Sequence, residues 1–172
     1  MKLEFEKQRD ILNKLKVPYV CLLGNHDCLA TGKEVFNIIF GNENFAFSAG
    51  NVRFICLNTN ALEFDYTEAI PDFNFLGNEL KSISPAIQKT VVAMHASPYS
   101  EQFNNNIAPI FQQYIKQFPN LLFCVHGHGH TVAVNDLFQD GILYYECASI
   151  NKRSYLYFTI NQENYTYEVI NF

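Results

Sequence analysis

All five histidines of this chain stand directly after apolar runs. His26 follows Tyr19–Leu23 through Gly24-Asn25, His95 follows Val91–Met94, and His126, His128 and His130 follow Leu121–Val125. Imidazole, the Asn25 carboxamide and the Asp27 carboxylate together form a borderline-hard ligand set, suited to Mn, Fe, Ni or Zn. An imidazole also gives or takes a proton near neutrality. In open α/β sheets, ligands bind just outside the carboxyl ends of the strands. One histidine in such a place is as often a satisfied structural residue as a functional one. Five sharing the placement point to a single site assembled from three strand ends.

The elements that must position these groups are legible in the spacing. Residues 2–16 read as an amphipathic helix with Leu3, Ile11, Leu12 and Leu15 on one apolar face. Lys16-Val17-Pro18 ends it, because the residue before a proline is pushed out of the helical region. Tyr19–Leu23 follow as a buried strand. Residues 33–40 suit a short helix, and Phe45–Phe47 with Val52–Asn58 flank a hairpin turn at Ser48-Ala49-Gly50-Asn51. Asp72 is a candidate N-cap for a helix running to Ser82. Val91–Met94 and Leu121–Val125 read as further apolar strands, with a helix over Ile107–Phe118 between them. Residues 131–172 read as antiparallel strands, Val132–Val134, Ile142–Cys147, Tyr155–Ile160 and Tyr165–Ile170, joined by Asn/Asp/Gly turns. No repeat or linker interrupts the chain, so residues 1–172 are expected to form a single domain.

Composition narrows the function classes. At 172 residues, 48% hydrophobic and 17% charged, the chain can bury a sizeable core and is unlike a disordered one. A net charge of −5 and the lack of a Lys/Arg run disfavour nonspecific nucleic-acid binding, which needs a basic surface to neutralise phosphates. The charged start Met1–Asp10 is unlike a secretory leader, and no apolar run is long enough to span a bilayer. Five cysteines, without a C-x-x-C pair, read as reduced thiols; a cytoplasmic location is the expectation.

Gly24-Asn25-His26-Asp27, the strand-end His95 and Gly127-His128-Gly129-His130, in this order and at this spacing, resemble the last three motifs of the calcineurin-like metallophosphoesterases. The resemblance implies an α/β fold, a metallophosphoesterase-like β-sandwich flanked by helices (αββα). It implies that Asn25, His95 and His128 bind one metal of a binuclear centre and that His130 contributes to the other. His26 would then be the general acid for the leaving group, with Asp27 fixing its orientation and raising its pKa. His126 falls outside the motif and is expected to act in packing or support, and Cys28 to be a plain loop thiol.

Members of the family carry D-x-H and G-D-x-x-D/N motifs on two earlier strands, and neither occurs between Met1 and Gly24. The expectation is therefore a partial, N-terminally truncated domain missing its first two strands, with three ligands lacking a counterpart, the bridging one included. Such a chain would hold at most one ion and be weakly active or inactive as a metal-dependent phosphoesterase acting on a phosphate ester or nucleotide. The alternative is a noncatalytic metal- or phosphate-binding remnant that oligomerises or pairs with a partner chain. An unpaired edge at Tyr19–Leu23 would favour a homo-oligomer. No membrane association is expected.

Overall fold

The computed structural model describes residues 2–172 and is built around a six-stranded sheet. Its strands are β1 (Phe45–Ala49), β2 (Val52–Leu57), β3 (Lys89–Met94), β4 (Leu121–His126), β5 (Ala133–Asn135) and β6 (Leu143–Glu146), in spatial order β1-β2-β3-β4-β6-β5. The inner four run parallel, while β1 and β5 pair antiparallel at the two edges. Parallel strands covered on both faces should read as continuous apolar runs. Those of β3 and β4 do.

Alternation along the strands sends side chains to two separate cores. Ile55, Leu57, Val92, Met94, Cys124 and Tyr144 face helices α3 (Phe73–Ser82) and α4 (Ala108–Ile115), where Leu76, Phe111 and Ile115 complete a cluster closed to solvent. Val52, Val91, Phe123 and Tyr145 face the opposite way, onto a two-stranded antiparallel ribbon of β7 (Ser154–Ile160) and β8 (Tyr165–Asn171). Phe123 stacks on Phe158 with ring centroids 4.5 Å apart, and Tyr145 stands edge-on to Phe158 at 5.1 Å. The predicted α/β sandwich is thus present, as helices, sheet and ribbon in successive layers. Expected local signals also recur. Asp72 caps α3 by accepting from the amides of Asn74 and Phe75, and Gly50 turns the β1–β2 hairpin at φ +59°.

A third, smaller cluster joins Phe5 of helix α1 (Lys2–Leu12) to Phe36 of helix α2 (Gly32–Phe40), Leu23 and Cys28. Three sequence expectations are corrected around it and at the C-terminus. The first helix ends at Leu12 rather than residue 16, and of its apolar residues Phe5 is the buried one. Leu3, Ile11 and Leu15 are instead 62%, 58% and 51% exposed, because the helix meets the body of the protein through Phe5 packing edge-on against Phe36 and Phe40.

The second correction concerns Tyr19–Leu23, which forms no strand and joins no sheet. An apolar run fixes strand character only when a neighbour supplies the ladder. Here Leu23 is buried while Val20 stays exposed. The third concerns β6, which is not purely antiparallel. It returns from the edge strand β5 through the Asp136–Gly141 turn and inserts beside β4, parallel to it. A tight turn announces its own hairpin, but the strand that receives the hairpin is a non-local choice.

The two stabilising devices differ in weight. Phe111→Ala, which empties a ring from the main core, should destabilise by roughly 3–5 kcal/mol. Asp72→Ala, which removes a cap at a helix start, should cost about 1 kcal/mol. Chemical denaturation of both variants checks the ranking.

Candidate functional site

The parallel strands β2, β3 and β4 end side by side, and each leads into polar residues. Beyond β3, the backbone carbonyl of His95 accepts from the Gly127 amide at 3.0 Å, locking the two histidine-bearing strand ends together. Beyond β2 come Asn58, Thr59 and Asn60, all fully buried. Thr59 Oγ1 accepts from the Ala96 amide at 3.0 Å, and Asn60 Nδ2 donates to the Leu23 carbonyl at 2.9 Å. The unladdered 19–23 segment is thereby fastened to the end of β2, and its Gly24-Asn25-His26-Asp27 turn is delivered to His95.

That turn is compact. The Asp27 amide donates to the Gly24 carbonyl at 3.1 Å, and Asp27 Oδ2 accepts from the Gly24 amide at 3.0 Å. A side chain on Gly24 would sit 3.1 Å from Asp27 Oδ2 and 3.4 Å from His95 Cε1, so glycine permits the close approach of turn and histidine.

The result is a cavity of about 180 Å³ lined by Gly24, Asn25, His26, Asp27, His95, His128 and His130. All six residues singled out from the sequence share it. Asn25 Oδ1 lies 3.0 Å from His95 Nε2, and the rings of His95 and His128 meet edge-on at 5.3 Å. His128 and His130 both hold left-handed backbone, φ +71° and +60°. Non-glycine residues adopt that region at a cost, and such positions cluster at functional sites. His126, by contrast, is buried with Nδ1 on the Gly127 carbonyl at 3.1 Å, in keeping with a packing role. Cys28 is also structural: its thiol donates to the Gly24 carbonyl, and burial pushes its pKa up to about 12.

Asp27 uses Oδ2 on the Gly24 amide rather than on the His26 ring. Burial raises its pKa, with the Gly24 hydrogen bond and the charge of His26 opposing that rise. Its hold on His26 is therefore a matter of proximity and turn geometry. Two acidic residues without a sequence signal also reach the site. Glu101 Oε1 sits 2.8 Å from His128 Nε2, and Glu63 Oε1 lies 3.4 Å from Asn25 Nδ2. Both come from loops brought in by the ends of β2 and β3, so neither strand-end placement nor motif spacing marks them.

The electrostatics favour neutral donors. Burial, then the neighbouring His128, His130, His26 and His126, lowers the pKa of His95 to about 4. A neutral imidazole nitrogen beside a carboxamide oxygen suits one borderline divalent ion. Among the described residues, however, no group of three or more His, Cys, Asp or Glu side chains is arranged to hold a metal, so any ion would rely on the Asn25 carboxamide beside the histidines. His128 is also committed to Glu101 as the chain stands.

A family model described as calcineurin-like phosphoesterase matches residues 3–132, which contain every residue lining the cavity. No curated protein matches the chain.

Because His95 has a folded pKa near 4, against about 6.5 when unfolded, the unfolded chain binds the extra proton first on acidification. The stability tied to neutral His95 is complete above about pH 6.5 and is lost as the pH falls towards 4. His95→Gln should flatten the dependence of unfolding free energy on pH in that window. The His95 ring signal, followed by NMR, should titrate near pH 4 in the folded protein.

Proposed function

The chain belongs to the calcineurin-like phosphoesterase family, and on that premise we propose that its site is the metal-dependent phosphoester-hydrolysing half of such a centre, feebly active or inactive by itself. The observation that carries this reading is the meeting of Asn25, His26, Asp27, His95, His128 and His130 around one cavity. Asn25 Oδ1 and His95 Nε2 would hold one divalent ion of the Mn, Fe, Ni or Zn class, with His128 joining on release from Glu101. His130 lines the same cavity but is a single donor towards any second ion. When bound, the ion supplies charge withdrawal from a phosphoryl oxygen.

The chain's own residues do the rest. His26 is exposed and lines the cavity, where its ring can give a proton to the departing ester oxygen. A positioned general acid contributes typically about 10²–10⁴-fold. Asp27 holds the turn that presents this ring. Gly24 lets the turn close on His95. The weakness of the centre lies in charge: Asn25, His95 and His128 are neutral donors, and the family's bridging carboxylate has no counterpart among them. The substrate expected is a small phosphate ester or nucleotide, since a chain of net charge −5 offers little to a polyphosphate backbone. No described helix is long and apolar enough to cross a membrane.

A second reading is favoured by the apolar 19–23 segment, whose backbone lies outside both sheets. Unladdered strand-like backbone is a template for another chain. In this reading the protein is a metal- or phosphate-binding partner module, pairing with a second copy or another polypeptide through that edge.

Three measurements separate the readings. Calorimetric titration with Mn²⁺ should give at most one ion per chain, and bis(p-nitrophenyl) phosphate should turn over slowly or not at all. Brisk turnover abolished by His26→Ala would overturn the weak-activity proposal. Sedimentation at high concentration should show self-association under the second reading; a clean monomer throughout counts against it.

A further inference from the structure

A carboxamide presents either an oxygen or an NH₂ group to a site, and a metal accepts only the oxygen. What surrounds Asn25 therefore decides whether it is a ligand at all. On its far side from His95, Asn25 Nδ2 lies 3.4 Å from Glu63 Oε1, a long contact to a group that in its ionised form only accepts. Glu63 sits in the turn Ala61–Phe64 immediately beyond the buried Asn58-Thr59-Asn60. The same Oε1 accepts from Gln102 Nε2 at 2.8 Å. Gln102 is buried, and its carbonyl accepts from the Leu62 amide at 3.2 Å, so side chain and backbone both clamp the 61–64 turn against the loop after β3.

Resting on the metal reading of Asn25, we infer that Glu63 is a positioning residue: it takes the Asn25 NH₂ group and thereby turns Oδ1 towards His95 Nε2 and the cavity. Gln102 holds Glu63 in place for this task. Glu63 also places a carboxylate one hydrogen bond away from a donor set that is otherwise neutral. Partners behind metal ligands typically alter affinity by about 10–100-fold when removed.

A double-mutant cycle tests the assignment, because an aspartate at position 25 has two oxygens and no NH₂ group to orient. Calorimetry with Mn²⁺ should show Glu63→Ala weakening binding about 10–100-fold in the parent chain. In the Asn25→Asp background, Glu63→Ala should leave affinity unchanged or improve it. Equal losses in both backgrounds, or no loss in the parent, would overturn the inference. The side-chain amide signals of Asn25, identified by their absence from Asn25→Asp, supply a metal-free readout. They should shift in Glu63→Ala and stay fixed in Glu34→Ala, which alters an exposed position on α2. If the parent chain takes up no Mn²⁺, the metal reading fails, and the amide signals alone then decide whether Glu63 orients Asn25; unmoved signals refute it.

Discussion

The hydrogen bond from Asn60 Nδ2 to the Leu23 carbonyl fastens the segment that carries the Gly24–Asp27 turn to the end of β2. Most strands are held by a ladder of such bonds to their neighbours, but the segment ending at Leu23 has no place in either sheet. Its position depends on burial of Leu23 and on one fully buried carboxamide at the end of β2. Asn60 Nδ2 also reaches Asn58 Oδ1 at 3.0 Å, so the two amides brace each other. Loss of either partner strands a buried polar group, which costs more than the bond itself contributes. The side chains with chemical potential stand two to four residues downstream of this attachment, and inherit its geometry.

The strand-end logic made much of this visible in advance. Val91–Met94 and Leu121–Val125 are apolar on both faces, which only interior parallel strands require, and the structure uses them so. His95, His128 and His130 meet in one cavity because β3 and β4 point their carboxyl ends the same way, and the Gly24–Asp27 turn brings His26 to it. Asp72 and Gly50 were equally readable, since capping and turning are local requirements. Where partners are remote, the sequence was silent. It could not show that Tyr19–Leu23 would lack a ladder, that β6 would insert parallel beside β4, or that Leu3 and Ile11 would face solvent. Glu63 and Glu101 stayed hidden for the same reason. A carboxylate in a loop looks solvated until the fold brings it against a histidine or an amide.

Charge separates what this chain holds from what a two-ion centre demands. Burial and mutual repulsion keep His95 unprotonated across ordinary pH, which preserves a lone pair for coordination. Yet neutral ligands do nothing to offset a dication. The carboxylates nearby lie one step back: Glu63 behind Asn25, Glu101 on His128 and Asp27 folded onto its own turn. The chain thus matches its family over residues 3–132 while the carboxylates nearest the cavity are engaged with other groups.

The partition of the interior into separate clusters decides how the site is seated. The cluster of Phe5, Leu23, Cys28 and Phe36 is small beside the main core, and shares none of its buried residues. Local opening is cheapest where few apolar contacts must be given up. Bonds to the rest of the protein cross the boundary of this smaller cluster: Asn60 Nδ2 to the Leu23 carbonyl, Lys33 to Glu43 and Glu68, and Asn25 to Glu63. The turn that carries Asn25, His26 and Asp27 is thus seated by a few polar fastenings across a small apolar contact, rather than by a shared core.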